Sequence, residues 1–433
     1  ALNSLSARGI DSELMSELQQ MGPSAISKIK ALEAMSDTEL DRYVSLWSVK
    51  HAQARAQAVS ELEGLRVETE ASISQLRIDA EQELEDYCVI WEQKLKQVDI
   101  DANTELEQLR VDFQKKVGII KTDTEKETQE MVDAVAEAGF GTVRIPVSFL
   151  SKIDDSCGYK IDREWLDRIA EVVDYCYNRE LFVIINIHGD GYHTIKGGWL
   201  LCDGSDQSYI KEKYAAVWRQ IALRFADYDE HLIFESMNEV FDGIYHTPVA
   251  EYYENINDYN RIFIDTVRST GGNNTHRWLM AAGWNTDINY TCDGYGFRFP
   301  EDKLCTCGEG RLILSVHCYD PWDYCGEEEK TIFLWGEKGQ EIIELELADQ
   351  RYMADWGDEE HIRAQFAKLK KDYIDRGIPV VIGEFGCIDR AVCAPHIPDR
   401  INENRAYYDG FVAGTAAQNG IVPVYWEIGR AHV

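Results

Sequence analysis

Hydrophobic positions along the chain follow two different rhythms. Between residues 58 and 117 apolar or small side chains recur at steps of 4-3-4-4-3-4, through Ala58, Leu62, Leu65, Thr69, Ile73 and Leu76 and on to Leu109, Phe113 and Val117. This 11-residue repeat, unlike a heptad, predicts one long, nearly straight helix or a slightly right-handed bundle. At 1.5 Å per residue the rod is about 90 Å long, and its narrow apolar stripe must fold back, self-associate or fray. Upstream, Asp11 to Trp47 breaks into two or three short helices. Met21-Gly22-Pro23-Ser24 suits a helix start, and Ser36 with Glu39 three residues on reads as a capping box.

Beyond residue 126 the rhythm changes to short β-branched runs alternating with helical stretches, the pattern of β/α units on a parallel sheet. Strands are expected at 142–145, 182–186, 232–234, 278–281, 312–316, 379–382 and 421–425. Helices are expected at 129–138, 163–178, 208–228, 252–269, 359–376 and 402–419. The unit length is that of an α/β fold of the TIM-type (β/α)8 barrel. Only 117–121 could supply a strand ahead of the helix at 129–138, yet it keeps step with the 11-residue repeat, and the chain stops soon after Trp426. The barrel is therefore expected to lack its first strand and last helix, which exposes sheet edges. The organisation that follows is a coiled-coil-like helical segment at 1–125, a barrel domain at 126–427 and a non-native tail at 428–433. One back-translation of 427–433 contains the start of a sequencing-library adapter. Two unrelated sequences are expected to join between 117 and 131, making the chain a chimera.

Charge narrows the partners. Lys and Arg number 44 against 77 Asp and Glu, a net charge of −33, so a nucleic-acid surface working by counterion release is not expected. No run approaches the roughly 18–20 apolar residues that cross a bilayer, so the chain is expected to be soluble with no membrane partner. Among eleven cysteines, Cys305-Thr306-Cys307 lacks the second pair of a zinc site. No metal is expected, and buried thiols are favoured over a local disulfide within 292–325.

The active site of such a barrel lies at the carboxyl ends of its strands. The residues there are Arg144, His188, Asn238-Glu239, Trp284-Asn285, His317 with Tyr319, Glu384 and Trp426. A packing-only barrel does not require a carboxylate, imidazole, amide or indole at each end. The ordered set resembles glycoside hydrolase family 5, the cellulase-like retaining glycosidases, over about 131–426. Val240 stands where many members have Pro. The resemblance implies that Glu239 is the acid/base and Glu384 the nucleophile, supported by Arg144, His188, Asn238, His317 and Tyr319. Trp426 is implied as a substrate platform, and Trp199, Trp284, Trp322 and Trp335 offer further flat faces of pyranose size. The implied reaction is retaining, endo-acting hydrolysis of a plant β-glycan, β-1,4-glucan first and β-mannan or xylan as alternatives, with no cofactor and with secretion of the hydrolase part. The first quarter of the chain, "MGPSAISKIKALEAMSDTELDRYVSLW" and the coil after it, resembles phage tail tape-measure helices. It gives a reading from another class, a self-associating structural rod fused to a nonfunctional barrel.

Overall fold

A computed structural model describes residues 2–307, 310–327, 331–346, 350–390 and 397–426. The tail expected at 428–433 lies outside the described residues. The chain forms two compact units, Ala1–Ile119 and Ile120–Val433.

The first unit holds α1 (Leu2–Ala7), α2 (Ser12–Gln20), α3 (Ile26–Glu33) and most of α4 (Asp37–Glu137). Leu5, Leu14, Leu18, Leu32 and Leu40 are buried together where the short helices meet the first turn of α4. Arg8 latches this junction, donating from Nη2 to the Met35 carbonyl and to Asp37 Oδ1, each at 2.7 Å. Half of the capping box forms. Glu39 accepts from the Ser36 backbone N–H at 3.0 Å, but the Ser36 hydroxyl donates to the same carboxylate at 2.8 Å instead of capping a backbone amide. Further along α4 the stripe residues, from Leu62 and Leu65 to Phe113 and Val117, are exposed.

The second unit is built on seven strands: β1 (Thr142–Ile145), β2 (Phe182–Asn186), β3 (Leu232–Glu235), β4 (Leu279–Ala282), β5 (Leu312–Cys318), β6 (Val380–Phe385) and β7 (Val422–Tyr425). They pair in chain order and every pair is parallel. β1 and β7 come into contact without pairing, so the sheet curls into a nearly closed barrel. Residues 117–121 are helical within α4 and supply no strand. Instead the end of α4 serves as the helix ahead of β1. Val132 is buried there between helix and sheet, and Asp133 faces Arg179 at 3.6 Å.

Around the sheet lie α5 (Arg163–Tyr177), α6 (Gln207–Arg224), α7 (Ala250–Ser269), α8 (Glu359–Asp372) and α9 (Pro398–Gln418). Their placement follows from apolar spacing. In α5 the Asp162 carboxylate caps the Glu164 amide at 2.9 Å, and Ile169, Val173 and Cys176 form the face that packs on the sheet. The described cysteines form no disulfide, and Cys305 and Cys307 bring their Sγ atoms to 2.9 Å.

Inside the barrel, alternate residues point inward. Ile184, Met280, Ile313 and Val381 make an apolar layer. One step toward the carboxyl ends of the strands, Arg144, Asn186, Glu235, Ser315 and His317 are buried polar groups. β5 and β6 run two and three residues beyond the ends expected from their apolar runs, because their last inward positions, Ser315, His317 and Glu384, are polar groups held by Glu235, Glu239 and Arg144.

Arg277, just before β4, closes the opposite end of this unit. It is fully buried and donates to the carbonyls of Phe225, Tyr228, Asp229 and Leu232 and to Asn274 Oδ1 at 2.6–2.9 Å. Burial draws its pKa down to about 10, and Phe234 lies under its guanidinium at 4.7 Å. Arg277→Met would strand these acceptors without donors. The expected loss is about 3 kcal/mol or more, read as a lowered urea midpoint with the secondary structure of the folded state unchanged.

Candidate active site

The polar layer is organised by the Arg144 guanidinium, which enters from β1. Nε donates to Glu235 Oε2 at 2.7 Å, Nη1 to Glu384 Oε1 at 2.7 Å and Nη2 to Asn238 Oδ1 at 2.9 Å. Burial opposes the charge, but the two carboxylates outweigh it and raise the Arg144 pKa. Glu235 is wholly buried and also accepts from the Ser315 hydroxyl at 2.5 Å.

Glu384 comes inward through an irregularity in β6. Val316 pairs with Ile382 but His317 pairs with Glu384, so Gly383 is skipped in the register and the strand is re-aimed as at a bulge. A Cβ on Gly383 would lie 3.1 Å from His317 Nε2 and 3.4 Å from Glu235 Oε1. The absent side chain leaves room for both. Tyr319 donates to Glu384 Oε2 at 2.9 Å. Burial alone would raise the Glu384 pKa, but the charges of His317, Arg144 and His188, helped by the Tyr319 hydroxyl, hold it below the ordinary carboxylate range.

Glu239 follows β3 on a loop tied at several points. Tyr214 and Trp218 donate to the Ser236 carbonyl at 2.6 and 3.2 Å, and Asn238 N–H donates to Ile187 O at 3.0 Å. Val240 N–H donates to Asn238 O at 2.9 Å, a bond that a Pro at this position could not make. Glu239 is partly open to the cleft. Its Oε1 lies 2.9 Å from His317 Nδ1, and its Oε2 accepts from Tyr192 at 2.9 Å. Burial lowers the His317 pKa, but Glu384 and the Glu239 hydrogen bond outweigh it and leave the imidazole raised.

One donor atom each from Glu239, His317 and Glu384 falls within 4.8 Å of the other two. Those atoms could approach a cation, yet Arg144 and His317 already balance this charge. The arrangement presents two carboxylates in unlike settings, one paired with a guanidinium and one at the wall of an open cleft.

His188 and Trp426 stack at 5.7 Å with planes 9° apart, forming a flat aromatic surface beside the carboxylates. Burial, with the Arg144 charge, lowers the His188 pKa. Trp322 is exposed and lines a cleft of about 370 Å³ with Glu239, Tyr245, Tyr319 and Trp356. The other three tryptophans expected as platforms lie elsewhere. Trp335 is fully buried behind the sheet, its Nε1 donating to Gly357 O at 2.6 Å. Trp284 is fully buried against Tyr253 and Phe241. Trp199 is buried as a latch, donating to Asp190 Oδ1 at 2.7 Å under Lys213 at 4.9 Å. Buried rings of this kind present no face to a sugar. The same latch steadies the Gly189–Gly198 turn and so places Tyr192, whose hydroxyl accepts from Asn238 Nδ2 at 2.6 Å.

Glu235, Ser315 and Tyr192, with Tyr245 and Trp356 in the cleft wall, are site residues that sequence reasoning missed. Glu235 carried a signal, since it continues the inward phase of Ile233 by two residues.

The lowered Glu384 pKa has a sign. The ion contributes stability above the unfolded value of about 4.3, and that contribution disappears as pH falls through the folded value. Urea midpoints measured from neutral pH downward are expected to fall more steeply in the unaltered chain than in Glu384→Gln; equal slopes would contradict the pairing.

Comparison with known proteins agrees with this geometry. Residues 107–432 match the cellulase family, glycosyl hydrolase family 5. Endoglucanase A of Paenibacillus barcinonensis is 46% identical over 307 residues, covering 70% of this chain and 74% of that protein. A family 5 xyloglucanase structure from Paenibacillus pabuli superposes with a TM-score of 0.65 at 46% identity, covering 69% of this chain and 81% of that one. A broad-specificity endoglucanase from Bacteroides salanitronis gives 0.61 at 39% identity, covering 70% and 76%. With three-quarters of its length in that match and both carboxylates at the strand ends, the chain belongs to glycosyl hydrolase family 5.

Proposed function

We propose that the chain hydrolyses β-1,4-glucan internally with retention of anomeric configuration, using Glu384 as nucleophile and Glu239 as acid/base. The observation that carries this is the approach of one Glu239 oxygen and one Glu384 oxygen to within 4.8 Å. Retaining enzymes hold their carboxyl groups about 5–5.5 Å apart, whereas inverting enzymes need about 6.5–9.5 Å to admit a water.

Environment divides the two roles. Glu384, ionised beside Arg144 and held by Tyr319, attacks the anomeric carbon as the glycosidic C–O bond breaks and Glu239 gives its proton to the departing oxygen. Glu239, now ionised, takes a proton from the incoming water. The new C–O bond releases Glu384 and retains the configuration. His317 reaches both carboxylates, at 2.9 Å to Glu239 and 3.6 Å to Glu384, and couples their charge states. Asn238 spends one amide hydrogen on Tyr192, leaving the other for a sugar 2-hydroxyl. Trp426 on His188 offers one sugar platform, and Trp322 with Tyr245 and Trp356 lines the other side of the cleft. The relatives named for endoglucanase and xyloglucanase activity support a glucan backbone over mannan or xylan. The family match begins at residue 107, and its start there supports reading the helical stretch ahead of it as a segment of separate origin, tape-measure-like in its helical repeat.

Incubation with a 2-deoxy-2-fluoro cellobioside bearing a good leaving group is expected to add one glycosyl mass, mapped to Glu384. Glu384→Gln is expected to abolish both adduct and glucan hydrolysis, and an adduct elsewhere would overturn the assignment. Tyr319→Phe removes a hydrogen bond to an ion, worth about 1.5–3 kcal/mol. It is expected to lower kcat roughly ten- to hundredfold and to move the acid limb of kcat/KM to higher pH. Initial rates on mannan or xylan exceeding those on carboxymethylcellulose and xyloglucan would displace the glucan assignment.

A further inference from the structure

The exposed stripe of α4 carries a charge code that one helix cannot use. With 11 residues in three turns, each residue advances about 98°. Ala58, Thr69, Ala80, Trp91, Ala102 and Phe113 therefore lie in that order on the centre line of the stripe. Leu62, Ile73, Leu84, Leu95 and Leu106 lie about 33° to one side, and Leu65, Leu76, Tyr87, Val98 and Leu109 about 33° to the other. The large members of these lines are exposed, from Leu62 (66%) to Phe113 (68%).

Charged residues edge the stripe at about 65° on each side. One edge holds Glu61, Ser72, Glu83, Lys94 and Glu105, and the other holds Arg66, Arg77, Cys88, Asp99 and Arg110. Read at a separation of five, these give Glu61–Arg66, Lys94–Asp99 and Glu105–Arg110, all of opposite sign. The middle pair reverses both signs and stays complementary. Ser72–Arg77 and Glu83–Cys88 carry no opposite pair, and the steps that flank the stripe, Lys50–Arg55 and Lys116–Lys121, are like-charged.

Within a single helix, residues pair at separations of three or four. A separation of five places them across the stripe, about 130° apart. In this stretch the ion pairs along α4 join Arg66 to Glu63 and Glu70. Asp99, Glu105 and Arg110 make no intrachain ion pair among the described residues. Opposite edges five residues apart do meet between two parallel helices, as e and g residues do in heptads. An antiparallel pair instead sets each edge against itself, which brings Arg66 against Arg110 in the same register that pairs Arg77 with Asp99. The back of α4 has a second apolar line, Val67, Ile78, Val89 and Ile100, but it is one residue wide and has no such complement.

We infer that the stripe from Ala58 to Val117 docks a second copy of this chain, parallel and in register. The centre-line residues, the alanines with Trp91 and Phe113, then each meet their own counterpart, and three cross-helix ion pairs form on each side. This assembly is independent of the hydrolase reading.

Sedimentation equilibrium of the full chain at micromolar concentration is expected to give the dimer mass; a monomer throughout would overturn the inference. Ala58→Cys and Ala102→Cys, each oxidised separately and mapped by peptide mass, are expected both to link through the introduced thiol to its own counterpart. An antiparallel pair can satisfy that at one position only, so linkage at one site alone would also overturn it. Glu105→Lys is expected to raise the dimer dissociation constant about tenfold, and adding Arg110→Glu to restore it. Absence of rescue would refute the pairing at five. Hydrolysis of a soluble glucan, measured alongside, reports that the barrel of each variant is folded.

Discussion

A single buried guanidinium holds the catalytic end of the barrel together. Ionising Arg144 away from water carries a penalty of several kcal/mol unless charge and hydrogen bonds compensate. Compensation comes from Glu235 on β3, Glu384 on β6 and the Asn238 amide, so three separate stretches of chain converge on one side chain. The planar fork suits this task in a way that an ammonium would not, since each N–H is aimed at a different partner. Without it, Glu235 and Glu384 would face each other in a low-dielectric interior, and at least one would take up a proton. Arg144 thus acts with His317, His188 and Tyr319 to keep Glu384 ionised, and with Tyr192 to orient Asn238.

The two glutamates at the cleft differ because of what lies behind them, although they are chemically identical. Glu384 is backed by positive charge and a phenol; Glu239 stands at the edge of solvent with Tyr192 and His317 as its contacts. His317 lies between them and shares the space vacated at Gly383 with Glu235. Their settings differ through local backbone detail, such as the residue skipped in the β6 register.

Much of this was legible in the residue pattern. Parallel strands buried on both faces read as continuous apolar runs, and all seven strands of the barrel sheet stand where such runs occur, with polar residues from their ends meeting in one place. The strand limits were less legible. β3 continues through Glu235 and β6 through Glu384, and an apolar run ends where an inward polar layer begins. The tryptophans show the same limit from the other side, because a ring serves equally well in a core and on a platform. Nothing in the sequence near Trp335 or Trp284 distinguishes them from Trp322. Tyr192 was concealed by a Gly-rich turn whose shape depends on the distant Trp199–Asp190 bond. The 11-residue repeat was plain, since it needs only period and not partners.

The incomplete circle of strands divides the site into parts of unequal firmness. Glu239 and Glu384 hang from β3 and β6, each flanked by paired neighbours, whereas Trp426 follows β7, an outer strand paired on one side only. Edge strands open at lower free energy than central ones. On warming, the aromatic platform would therefore come loose before the carboxylate pair does. On the proposed role of Trp426 as a sugar platform, KM for glucan would climb at temperatures where turnover of a small activated glycoside still holds.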